Sequence, residues 1–464
     1  MKNFLKLAVV LFTTATFAQT GHIMQGVGAF NMSMGGASTA QPLDISGALQ
    51  WNPAAISVFD GKILKFDIGA FSGSPKVYST YGPFEGSTED DKGLSPMPAI
   101  AYVWGKEDSK HTFGVSAFGI SGFGVDFAED LNYPQDLLGN PNPNFNPNDP
   151  TNPINFPQYA GGFGNLASDY MLLQVGFTWA YQVSEKFSIG IEPTINYGAL
   201  EIGPNPLVVP DFTGNGYPVS DKASSLGFGA QIGMFYDTQS GFKIGASYKS
   251  QQYFGAMEFD SEYVTDGSVA NDAEFTMNYP AVYSIGLGYS KSKFDLALDY
   301  RYVDYENADG FEKSGWEIAS SGPGAGMPTG AVNGFGWNSI SVISAGLQYK
   351  GIEKLPLRFG YTFSSNPIDE ELTFYSMPAT AVIKHAFQFG FSYPINDNFM
   401  LDALYHHGTS DGKTEGQMLN PTPDVMGGPW NATNNPLGKV PNSKIGYDMT
   451  TDLVMIGVTY TFSK

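Results

Sequence analysis

The 464-residue chain predicts an all-β protein, a transmembrane antiparallel β-barrel of the bacterial outer-membrane type with about fourteen strands. Three observations carry that expectation. An export signal opens the chain and no apolar run of helical spanning length follows it. Long segments alternate apolar and polar residues and end on aromatics. The connections between these segments are short and long by turns.

The export signal comes first. Lys2 and Lys6 flank an apolar run from Leu5 to Phe17, and Thr16 and Ala18 supply small residues before a cut ahead of Gln19. Residues 1–18 therefore read as a signal peptide. The run falls short of the roughly 20 residues that span a bilayer, so any later crossing is made by strands. With no cysteine, neither a disulfide framework nor thiolate metal sites are open to the chain. The 45 acidic against 24 basic residues argue against a nucleic-acid partner, which rewards a basic patch.

Segments of period-2 alternation or β-rich composition fall at about 62–71, 98–104, 112–118, 170–183, 187–200, 224–236, 242–248, 281–289, 294–305, 337–349, 357–364, 385–393, 399–407 and 452–462. In the clearest, Leu173, Val175, Phe177 and Trp179 share one face while Gln174, Gly176 and Thr178 share the other. The segment from Phe294 places Leu296, Leu298 and Tyr300 on one side and Asp295, Asp299 and Arg301 opposite. One face suits lipid; the charges need water or one another. Aromatic ends such as Phe294 and Tyr305, or Tyr460 and Phe462, suit an interfacial girdle.

The linkers at 105–111, 184–186, 237–241, 290–293, 350–356 and 394–398 are short, and those between are long. An antiparallel barrel with both ends on the periplasmic side produces that alternation, with short periplasmic turns and long outer loops. Ahead of the first strand, residues 19–60 are rich in Gly, Ser, Ala and Met and do not alternate. A barrel of this size has a lumen its own side chains do not fill, so the segment is placed inside as a hatch, with residues 61–464 forming the wall.

Gly26-Val27-Gly28, Gly35-Gly36-Ala37 and Trp51-Asn52-Pro53-Ala54-Ala55 resemble the start of the FadL-type transporters of long-chain fatty acids and other hydrophobic compounds. Further matches follow in order at Gly245–Ser250, Tyr279–Tyr283 and Leu357–Pro367. One departure stands at Met377-Pro378-Ala379, where the family commonly has an acidic residue. The resemblance implies a monomeric barrel in contact with outer-membrane lipid and lipopolysaccharide, a hatch, and passive uptake of a hydrophobic small molecule. It also implies an inward bend in the third strand that opens the wall sideways. Here that strand runs into Gly119, Gly122 and Gly124, a density of glycine that favours a bulge or broken pairing, a plain glycine-rich loop entrance being the alternative.

Burying an acyl chain is worth about 0.8 kcal/mol per CH₂, so capture is easy and release needs a moving part. The hatch, with Gly35, Gly36, Asn52, Pro53 and Ala54 at its turns and its junction with the wall, is that part. Expected pocket residues are Phe30, Met32 and Met34 from below and Phe118, Phe123, Phe127, Leu207, Val208 and Phe212 from the loops, with buried loop packing as their equal alternative. Glu192, Asp295, Asp299, Arg301, Arg358 and Asp402 face the lumen as a polar network, structural ion pairing being its expected role, while a basic residue such as Lys249 could meet a carboxylate head group.

No set of Ser, His and acid residues at recognisable spacing points to an enzyme. Gly408–Thr414 has one residue too few for a phosphate loop, and His406-His407 alternates across a strand end without clustered ligands. Neither a cofactor nor a metal is expected. The rival readings are a polar-solute porin, which the hatch disfavours, and a lipid-modifying barrel enzyme. The Asn- and Pro-rich loop 140–157 is expected to be extended.

Overall fold

A computed structural model of the chain describes residues 19–105 and 109–463. The expected signal peptide at 1–18 and part of the first short turn lie outside them. Fourteen antiparallel strands form the wall: β1 Lys62–Tyr81, β2 Leu94–Gly105, β3 His111–Phe127, β4 Leu166–Ser184, β5 Phe187–Gly203, β6 Ala223–Asp237, β7 Phe242–Lys249, β8 Ala281–Lys291, β9 Phe294–Asp304, β10 Ile340–Tyr349, β11 Leu357–Ser364, β12 His385–Pro394, β13 Phe399–Thr409 and β14 Lys444–Thr461. Each pairs with its sequence neighbour, and β14 closes on β1 from Lys444–Thr80 to Thr461–Ile63. Closure leaves the sheet no free end strand, as a lipid surround requires.

Lipid and lumen faces separate by the alternation. Leu296, Leu298 and Tyr300 on β9 are exposed, whereas Asp295, Asp299 and Arg301 between them are buried inside. Around the lower rim, stacked rings run Tyr102–Trp104–Phe113 and on through His111 to Trp179.

Several strands are longer than their sequence pattern. β1 runs ten residues past the expected end at 71, β3 continues to Phe127, and β14 begins at Lys444 rather than near 452. The expected loop 72–97 is mostly strand, with a further hairpin strand at Phe84–Glu89. The reason is solvent: above the bilayer both faces meet water or loops, so backbone pairing goes on after the apolar alternation stops. Loop 140–157 is not simply extended either. It folds back through turns so that Thr151–Phe156 is buried, with Asn152 Nδ2 donating to Asn155 Oδ1.

The hatch fills the lumen near the short turns. It holds α1 Gly28–Ser33, α2 Ile45–Trp51 and a 3₁₀ turn Pro53–Val58. Asp44 caps α2 by accepting from Gly47 N–H at 3.2 Å. Ahead of α1 a strap, Gln19–Val27, crosses the lumen and pairs with β3 at Ile23–Ser121.

Candidate functional site

Charges on the wall hold the hatch. Asp299 Oδ2 accepts from Ser38 and Thr39 N–H, each at 2.8 Å, and from Arg301 Nη2 at 2.9 Å. Arg301 in turn donates to Gly36 O at 2.5 Å and stacks 3.7 Å over Trp51. A second cluster joins Lys65 to Asp44 and Asp402 at 3.1 and 3.0 Å, with Arg358 donating to Ser33 Oγ and sitting 3.8 Å over Phe30. The expected network thus divides in two, while Asp295 pairs with Lys350 at 2.8 Å. Glu192 lies apart, on the stretch of wall where Lys249 Nζ donates to Gln174. Lys65, Asp44 and Asp67 were missed, although the lumen parity of Lys65 and Asp67 between Leu64, Phe66 and Ile68 was readable.

The wall also makes room for hatch backbone. A Cβ on Gly346 would lie 2.5 Å from Met34 O and one on Gly286 2.9 Å from Ala40 N; at Gly245 and Gly360 it would collide with Thr39 O and Gly35 N. Gly35 and Gly36 themselves turn through φ of +68° and +73°. Asn52 clamps the junction. Its Nδ2 donates to Thr39 O at 2.7 Å and Met234 O at 3.0 Å, while its Oδ1 accepts from Ala54 N–H beyond Pro53.

One segment of wall is interrupted. The β2–β3 ladder runs from Gly105–Thr112 to Ala99–Phe118, and the next bridge between these stretches is Asp90–Phe127. Across the same span β3 bulges: Gly119 and Ser121 oppose Leu173 and Leu172, leaving Ile120 as the extra residue. There the strap takes over, with His22 O accepting from Gly122 N–H at 3.1 Å and Ser121 Oγ at 2.8 Å. On β2, Pro96 and Pro98 offer no N–H. Gly119, Gly122 and Gly124 all lie in this span. Methionines pack nearby in one cluster: Met24 of the strap, Met32 of α1, Met97 of β2 and Met171 of β4.

Above the strap the loops fold inward over a continuous apolar core that includes Phe118, Phe123 and Phe127, with Leu207 at its margin. Val208 is buried, but Phe212 is 72 % exposed. Met34 packs with Phe30 and Leu43 on the hatch, away from that core. At its centre the His22 imidazole lies among five rings, with centroids 4.6 Å away for Phe311, 5.2 Å for Tyr305, 5.7 Å for Trp337, 5.9 Å for Tyr170 and 6.1 Å for Tyr279. All six side chains are at most 1 % exposed. His22 N–H and Nδ1 both meet Tyr305 Oη, at 3.1 and 2.7 Å, and Nε2 has no partner among the described residues. Desolvation pushes the imidazole pKa down to about 3, so it is neutral. Sequence reading missed this box because four of its five walls come from loops and only Tyr170 from a strand; the aromatics Phe311, Phe335 and Trp337 were the available signal.

A closed barrel with an internal hatch and an apolar interior above it defines an outer-membrane transport channel. Residues 155–425, more than half of the chain, match the family described as outer membrane protein transport protein (OMPP1/FadL/TodX). The chain belongs to that family, one of channels rather than enzymes. Among solved structures it is similar to a Pseudomonas aeruginosa FadL homologue at 12 % identity and TM-score 0.67, covering 96 % of this chain and 100 % of that one. It is also similar to the P. putida toluene transporter TodX at 16 % identity and TM-score 0.63, covering 95 % and 99 %. For the Ralstonia pickettii toluene transporter TbuX the values are 16 %, 0.59, 95 % and 99 %. These likenesses speak to the fold. No curated protein sequence matches the chain.

Proposed function

We propose that the chain takes up hydrophobic small molecules passively across the outer membrane, capturing them among the outer loops and releasing them sideways between β2 and β3 while α1, α2 and the junction stay seated and only the strap of the hatch moves. The observation that carries this is the interrupted ladder beyond Ala99–Phe118, filled by the strap instead of by β2. An apolar solute leaving there enters lipid and is never returned to water. The unseated alternative, a route through the hatch, must break two buried charge clusters and the backbone contacts at the wall glycines. The strap, by contrast, is held to β3 by the Ile23–Ser121 pairing and the bonds to His22 O, and to β12 by Gln25, with none of the charge pairs that seat α1 and α2 among these contacts, and the methionines around it deform easily.

Deleting Ile120 tests this. Without the extra residue β3 regains register with β4 and can extend its ladder to β2. The expected result is a folded barrel whose uptake of hydrophobic compounds in proteoliposomes drops at least about tenfold, an estimate that assumes the bulge opens the exit. Unchanged uptake would overturn the sideways route.

A further inference from the structure

The aromatic box holds more than a packing role needs. An imidazole is a poor core-filler: it buries two ring nitrogens, and here Nε2 finds no partner among the described residues. The strap nevertheless delivers this one ring into a five-sided aromatic enclosure, by way of Gly21, whose φ of +61° and close approach to Tyr305 Oη admit no side chain. The strap meets the wall through His22 O, which accepts from Gly122 N–H and Ser121 Oγ, and through Gln25 Oε1, which accepts from Gln388 Nε2. When it withdraws, the space left is that of one planar ring, bounded by aromatic faces suited to edge and tilted stacking. At one edge stands Tyr305 Oη, which has lost both of its His22 partners.

We propose that this box binds a single aromatic ring carrying one hydroxyl, a simple phenol, which replaces the His22 ring and takes over its hydrogen bond to Tyr305. The assignment rests on the uptake route above and names its substrate class. A phenolic hydroxyl can donate to or accept from Tyr305 Oη, whichever role that group keeps. A plain hydrocarbon ring fits the same space but leaves a buried hydroxyl unpaired, which sites built for hydrogen bonding penalise heavily. A long acyl chain fills neither the shape nor the bond. Toluene is the more hydrophobic of the two single-ring probes, so a bare apolar cleft prefers toluene and only a hydrogen bond inside the box reverses the order; Tyr305 Oη is the hydroxyl the displaced ring already engages, whereas Tyr170 Oη and Tyr279 Oη stand without a hydrogen-bond partner among the described residues.

Binding of phenol, toluene and decanoate to the purified full-length mature protein is followed by tryptophan emission, since Trp337 lines the box, with uptake measured in proteoliposomes. Heat-modifiable gel migration confirms that each variant is folded. Wild type is expected to bind phenol roughly tenfold or more tightly than toluene. Tyr305→Phe removes that preference and leaves toluene within about twofold. His22→Ala, which empties the box without altering its walls, strengthens phenol binding several-fold. A phenol-to-toluene ratio unmoved by Tyr305→Phe, or phenol binding unmoved by His22→Ala, overturns the assignment. Uptake of decanoate without phenol binding overturns the box and leaves the route standing. Phenol binding that depends on Tyr305, with uptake unaffected by the Ile120 deletion, upholds the box and overturns the route.

Discussion

Replacing Asp299 by Ala should release the hatch while sparing the barrel. The carboxylate is buried and one oxygen takes three donors, two of them hatch backbone N–H groups and the third Arg301. Removing it strands a guanidinium that is 2 % exposed, and breaking one side of a buried pair costs about 3–5 kcal/mol. Each freed N–H adds about 1–3 kcal/mol if nothing replaces its acceptor. Water entering from the periplasmic side offsets part of this, so about 5 kcal/mol is a reasonable net, or a shift of several thousand-fold in hatch docking. The assay is protease cleavage within residues 19–60 of the folded protein, together with single-channel conductance in a planar bilayer. Asp299→Ala should be cleaved readily and show raised conductance, with Asp299→Asn between it and wild type because one acceptor oxygen remains. If Asp299→Ala resists protease and conducts as wild type does, the charge clusters do not hold the hatch.

Gly360→Val drives a side chain into Gly35 N at the hatch seat, so it should raise conductance while heat-modifiable migration stays normal; a wild-type trace would mean the hatch backbone is not in contact with β11. Acid should loosen the strap. His22 is neutral when buried, with its pKa lowered from 6.5 to about 3, so docking is at full strength above pH 6.5 and weakens by about 1.4 kcal/mol per pH unit below it. At pH 5 the loss is about 2 kcal/mol, read as a change in Trp337 emission that His22→Phe abolishes. Equal emission at pH 7 and pH 5 in wild type would refute the buried imidazole.

The wall was legible because lipid enforces it: every second residue of β9 and β4 faces hydrocarbon, and the parity of Asp299 and Arg301 follows without a structure. The bulge in β3 was legible as glycine density at 119, 122 and 124, though not the identity of Ile120 as the residue that slips. What stayed hidden depends on contacts between segments far apart in the chain. Tyr170, Tyr279, Tyr305, Phe311 and Trp337 come together from a strand and from loops whose course no periodicity dictates. His22 reads as one polar residue in a segment without a pattern, and only its neighbours show what it occupies. Phe212, chosen for its place in an apolar loop stretch, illustrates the converse, since hydrophobicity in a loop does not say which way the loop folds.

The unequal strands give the wall an uneven rim. β1 has 20 residues, whereas β7 and β11 have 8. At roughly 3.3 Å per residue and a tilt of about 40°, β1 rises some 50 Å, about twice the height of the apolar band of such barrels. The barrel is therefore a slanted chimney rather than a tube cut level. Its high side, which carries the interrupted wall, stands roughly 20 Å or more clear of the hydrocarbon, so that there the strands are wetted on their outer face as well.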